Sequence, residues 1–177
     1  RLRGAGPFAD EWLPIRPGTD LALALALSNV LIERAFLDRD YLKKHTNSPF
    51  LVKEDGFFLR VDGKEQVWDP AKGAAVAHDT KGVDPALEGE FTVGATKVKT
   101  AFQRFKEHVA KATPEWAATI CGVPAEPIRR IALDLGQNAM IGSTIQVDGV
   151  TLPYRPVGIM AYHMAQQELG FQALRAM

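Results

Sequence analysis

The chain has 177 residues, balances 21 Lys and Arg against 21 Asp and Glu, and is 46% hydrophobic, enough for a packed core of its own. With no net charge and no basic block, nothing recommends nucleic acid or an anionic membrane surface as a partner, and the longest apolar run is too short and too alanine-rich to cross a bilayer. The single cysteine, Cys121, excludes an internal disulfide and a cysteine-held metal or iron–sulfur cluster within these residues, and is read as a small buried side chain.

In chain order, the first informative segment is Arg16-Pro17-Gly18-Thr19-Asp20, followed at once by Leu21-Ala22-Leu23-Ala24-Leu25-Ala26-Leu27. Alternation alone would allow a strand. Ala and Leu are strong helix formers, however, and the run continues through Glu33 without Gly or Pro, which predicts a buried helix. Its first turn offers backbone N–H groups and a positive dipole end, where Thr19 and Asp20 add a hydroxyl and a carboxylate. Two readings follow. Either residue could simply cap the helix, or the turn could hold a polar ligand.

The middle of the chain reads as β-rich. Residues 57–61 and 64–68 flank Asp62-Gly63, whose positive φ angles suit a tight hairpin. From Asp69 to Gly89 little periodicity is visible, so an irregular surface excursion is expected. Glu90–Val93 and Lys97–Lys99 flank Gly94-Ala95-Thr96 as a second hairpin, and 100–112 is predicted as an amphipathic helix with Phe102, Phe105 and Val109 on one face. Next comes Thr113-Pro114, an N-cap followed by proline at the first helical position. Gly122 follows the last turn of that short helix, and Pro124 and Pro127 lie near the start of another.

In the last third, 141–147, Asp148-Gly149 and 150–152 predict a third hairpin, and 155–161 a buried strand. The polar loop beginning Tyr162-His163-Met164-Ala165-Gln166 then leads to a helix. A loop after a strand is where open α/β sheets place ligands. His163 could relay a proton or merely be hydrogen-bonded at a strand end. The other histidines have no neighbours in sequence that suggest metal ligation. Hydrolase, zinc-protease and phosphate-loop motifs are missing.

The string Glu11-Trp12-Leu13-Pro14-Ile15-Arg16-Pro17-Gly18-Thr19-Asp20 resembles the segment leading into a helix in molybdopterin oxidoreductases of the dimethyl sulfoxide reductase family. Ala35 to Thr46 is similar to that family's acidic, aromatic second helix and the threonine ending it. Thr113 to Ala132, with its Gly122-Val123-Pro124 corner, resembles a second family signature, to which no chemistry is assigned. The resemblance implies that Gly18, Thr19 and Asp20 bind one guanine nucleotide of a bis(molybdopterin guanine dinucleotide) molybdenum cofactor. Asp20 would meet the paired donors of guanine with its two carboxylate oxygens. Aligned on Gly170, the family's pterin contacts fall at Tyr162 and Gln166, although His163 and Ala165 stand where the family usually has Gly and Asn.

The implied fold is α/β, a Rossmann-like three-layer fragment with a β-hairpin-rich insertion, of the type of formate dehydrogenase and dimethyl sulfoxide reductase domains 1–3. Residues 1–49 would end a dinucleotide-binding-like domain, 50–99 form the insertion, 100–139 a helical segment, and 140–177 the hairpin, buried strand and truncated helix of the adjoining domain. Both chain ends read as cuts through a longer polypeptide. The implied parent is an enzyme catalysing oxygen-atom transfer or a related two-electron redox step. Its iron–sulfur cluster and molybdenum ligand would lie N-terminal to this segment, so no catalytic or metal-ligating residue is assigned here. The expected partners are the rest of the polypeptide, a membrane-anchor subunit, and an iron–sulfur electron-transfer subunit. They place a bacterial parent in the periplasm or at the membrane, with the cytoplasm as the alternative. Two rivals stay open: a nicotinamide-dependent α/β oxidoreductase, although its Gly-x-Gly-x-x-Gly fingerprint is missing, and a non-catalytic interaction domain.

Overall fold

A computed structural model of the chain describes residues 9–159 together with 169, 172, 173 and 175. In chain order the elements are α1 (Asp20–Glu33), α2 (Arg39–His45), β1 (Leu51–Lys53), β2 (Arg60–Val61), β3 (Lys64–Asp69), β4 (Ala74–Ala77), β5 (Glu90–Val93), β6 (Thr96–Thr100), α3 (Ala101–Val109), α4 (Pro114–Cys121), α5 (Ala125–Asn138), β7 (Thr144–Val147) and β8 (Val150–Pro153). The architecture is mixed α/β, and every sheet among the described residues is small and antiparallel. The chain divides into two compact units, Arg1–Ala35 with Lys111–Met177, and Phe36–Ala110.

In the first unit α1 packs on α4 and α5. Residues two apart on a helix point to nearly opposite sides, so the Leu/Ala alternation makes α1 apolar all round. The alanines supply the closest contacts: Ala22 and Ala26 lie on one stripe and join Ala117, Cys121, Val123 and Ile128 in a fully buried cluster, with Leu13, Ile15, Leu23 and Leu27 packed around it. Small residues on facing helices let the backbones approach, while Ile128, 0% exposed, supplies the largest buried side chain of the cluster. Its burial is worth about 1.5–3 kcal/mol. The β7–β8 hairpin turns on Asp148 and Gly149, both at positive φ, as the sequence predicts.

In the second unit β1-β6-β5 and β2-β3-β4 form two antiparallel sheets, bridged through Phe50 and Val67 and through Val52 and Phe58. Leu51, Val52, Val67, Leu87, Val98, Phe102 and Val109 are buried here. The expected Asp62-Gly63 hairpin is present, with both residues at positive φ. Trp68 stacks on Phe91 with ring centroids 4.3 Å apart. Gly89, at φ 137°, passes so close to that ring that a Cβ would lie 2.6 Å from Phe91 Cζ, so only glycine fits.

Several elements differ from expectation. Val93 pairs with Thr96, so the second hairpin has a two-residue turn, Gly94-Ala95, in place of three. Gly94 at φ 60° puts glycine first, the pattern of a type II′ turn. The excursion 69–89 contains strand β4, whose alanines are weak strand formers that gain their structure by pairing with β3. The 100–112 helix is shorter, Ala101–Val109, because Pro114 holds Thr113 extended and the chain must leave the helix before it. The second helix begins only at Arg39, after Ala35 at positive φ. Residues 155–159 form no strand, and all of them but Val157 are exposed. Pro156 lacks a donor, and none of the described strands pairs with this segment.

Candidate functional site

The 16–20 turn is built around Arg16. The last carbonyls of any helix lack partners within it and carry the negative end of its dipole. At the end of α4 they are met from outside. Arg16 N–H donates to Cys121 O at 2.9 Å, and its guanidinium Nη1 donates to Thr119 O and Ile120 O, both at 3.1 Å. Gly122 caps α4 in the left-handed conformation, φ 79°, with its N–H on Ala118 O. A Cβ there would stand 3.2 Å from Arg16 Nε. The conformation and the close approach thus both favour glycine.

Beyond Arg16 the chain turns at Pro17 and Gly18, with Gly18 at φ 82°, and α1 begins. Thr19 occupies the N-cap position, yet its side chain caps nothing. Its hydroxyl donates backwards to Arg16 O at 2.6 Å, and its N–H points to the same carbonyl at 3.3 Å. Only its backbone carbonyl serves the helix, accepting from Ala22 and Leu23. The capping alternative therefore fails for Thr19. Asp20 is the first helical residue, half-buried, and the acidic group of the first turn, while Gly18 beside it is exposed. Exposed Gly18 and half-buried Thr19 and Asp20 thus stand together at one turn, whereas Tyr162 and Gln166, with His163, lie outside the described residues.

The approach to this turn is tied down as well. The Glu11 carboxylate accepts from the Arg130 guanidinium on α5, which pushes the arginine's already high pKa further up. Arg129 pairs with Glu115 across α5 and α4, and the Glu115 carboxyl is held below its ordinary value, first by its own backbone N–H and further by Thr113 and Arg129. Cys121 is a free, fully buried thiol whose carbonyl is one of the three that hold Arg16.

Arg16 is the residue that sequence reasoning missed. The Gly-Val-Pro corner marks the end of α4, but no local signal says that a guanidinium 103 positions earlier fills it. In the second unit, His45 and His78 line a cavity of about 490 Å³ with Lys43, Thr46 and Phe50. His45 packs on Tyr41 and His78 on Phe50. Among the described residues no group of three or more His, Cys, Asp or Glu is placed to hold a metal ion.

No family model matches the chain. Individual relatives do. It is 39% identical over 150 residues to a sulfite dehydrogenase subunit of Allochromatium vinosum, a match covering 75% of this chain and 16% of that protein. To the alpha subunit of chlorate reductase of Ideonella dechloratans it is 40% identical over 144 residues, 70% of this chain and 16% of the relative. To dimethyl sulfoxide reductase DmsA of Haemophilus influenzae it is 35% identical over 133 residues, 75% of this chain and 12% of the relative. The chain belongs to the dimethyl sulfoxide reductase family of molybdopterin oxidoreductases. It spans no more than about a sixth of the length of these relatives.

Proposed function

We propose that this chain is a cofactor-binding portion of the catalytic subunit of a molybdenum oxidoreductase, and that the 16–20 turn holds a guanine nucleotide of bis(molybdopterin guanine dinucleotide). One observation carries the reading: the acidic start of α1 is exposed at Gly18, and the side chain at its cap position is turned away from the helix amides. The donor set fits the group. A carboxylate at Asp20 presents two acceptors to the parallel donors of guanine. Gly18 allows close approach, and the Thr19 hydroxyl, already donating to Arg16 O, has a lone pair left to accept. Tyr162 and Gln166 are assigned to the pterin side.

The molybdenum centre supplies the two-electron redox or oxygen-atom-transfer chemistry when bound. The residues of this chain bind and orient, which is the protein's share in cofactor enzymes. The same reading makes the parent fold Rossmann-like and three-layered, with 50–99 inserted into it, and places an iron–sulfur cluster in an N-terminal portion outside this sequence. A membrane anchor and an iron–sulfur electron-transfer subunit complete the parent complex, in the periplasm or at the membrane. No described helix is long and apolar enough to cross a membrane. The test is Asp20→Ala in the full-length enzyme. Molybdenum content per protein, measured by metal analysis, should fall severalfold with circular dichroism unchanged; full molybdenum content would refute the assignment.

A further inference from the structure

We propose that Arg16 and Gly122 form a clasp that positions Asp20, so that the Thr113–Ala132 signature governs nucleotide binding without touching the nucleotide. The inference rests on the nucleotide reading above and adds a role for a motif that reading leaves unused. Thr19 gives the start of α1 no side-chain cap, and its hydroxyl and N–H both turn back to the Arg16 carbonyl. Arg16 is therefore a hub. Its carbonyl holds the first turn of α1, while its N–H and guanidinium hold three successive carbonyls, Thr119, Ile120 and Cys121, at the end of α4.

The chemistry suits arginine specifically. One planar guanidinium nitrogen bridges two carbonyls at 3.1 Å, and the cation sits at the negative end of a helix dipole. A lysine is a point charge on a flexible stem and does not fix two N–H directions in one plane. Gly122 completes the clasp by leaving out a Cβ that would stand 3.2 Å from Nε and 3.6 Å from Cγ and Cζ. Because Arg16 lies four residues before Asp20, with the Pro17-Gly18 turn between, loosening the clasp moves the carboxylate and leaves the helix itself intact. Arg16 is thus a positioning residue.

The experiment is a double-mutant cycle in the full-length catalytic subunit, produced with its cofactor as wild type, Arg16→Lys, Asp20→Asn and the pair. GMP released by acid is counted per protein, beside the midpoint of thermal unfolding. Arg16→Lys should lower GMP content about threefold to tenfold, the scale of one lost ordinary hydrogen bond, and should lower it no further once Asp20 is Asn. The midpoint should drop equally in both backgrounds. Gly122→Asn, which tolerates the left-handed conformation but crowds Nε, should repeat the pattern and serves if Arg16→Lys does not accumulate. If Asp20→Asn lowers GMP but Arg16→Lys lowers it by the same factor in both backgrounds, or not at all, the clasp is overturned while the nucleotide reading survives. If Asp20→Asn itself leaves GMP unchanged, the nucleotide reading falls, and this inference with it.

Discussion

Three of the described helices begin after a threonine, and they begin differently. At α3 the Thr100 hydroxyl accepts from Gln103 N–H at 3.1 Å, and at α4 the Thr113 hydroxyl accepts from Trp116 N–H at 3.2 Å. At α1 the Thr19 hydroxyl turns away to Arg16 O. The first two starts are closed by their own side chains. The third is held from a distance by an arginine anchored on α4. At α3 and α4 the threonine hydroxyl accepts from the helix, whereas at α1 the half-buried Asp20 follows an exposed glycine turn. Position in a motif does not settle what a residue does; the direction of its hydrogen bond does.

Substitutions along this series should separate the two kinds of start. The largest loss is expected for Thr100→Ala. Thr100 is 0% exposed and also donates to Leu87 O at 2.8 Å, so the change removes a cap and strands a buried carbonyl. Urea unfolding should show a loss of about 2–3 kcal/mol. Thr113→Ala removes a cap and the hydroxyl's contact with the exposed Glu115 carboxylate, and should cost about 1 kcal/mol in the same measurement. For Thr19→Ala, which removes an exposed bond within a turn, the expected loss is under about 0.5 kcal/mol. A Thr19 loss as large as that of Thr113 would erase the distinction.

A further effect, read against pH, concerns the partners of α3 and α2. Glu88 accepts from Lys106 at 2.6 Å and from Arg39 at 2.8 Å. The Lys106 bond, opposed by partial burial and reinforced by Arg39, holds its carboxyl below the usual 4.5. A depressed carboxyl stabilises the fold fully above its unfolded value and ceases to do so as pH falls through the lower folded one. Thermal midpoints should therefore drop below about pH 4.5 in the wild type, and less in Glu88→Gln, with a difference under about 1 kcal/mol because both cations are about half exposed. Equal acid sensitivity in the two proteins would show that these pairs contribute nothing.

Much of this was legible locally. The Asp62-Gly63 and Asp148-Gly149 turns, the Thr113-Pro114 start and Gly122 stop of α4, and the 20–33 helix all follow from φ preferences, missing N–H groups and helix propensity. These forces act within a few residues, so a linear reading reaches them. β4 was not legible, because alanines form a strand only against a partner, and neither was the absence of a strand at 155–159, because a ladder needs a neighbour. The candidate site divides in the same way. Gly18, Thr19 and Asp20 stand out as a turn followed by an acidic helix start.

By itself the sequence determined where α1 and α4 begin and end, where two hairpins turn, and which short string resembles a known family. Tertiary structure alone decided that Arg16 closes the end of a helix more than a hundred residues away. The reason is physical. Backbone dihedrals and caps are set by neighbours in sequence, whereas orphan carbonyls at a helix end take whichever donor the packed chain brings within about 3 Å.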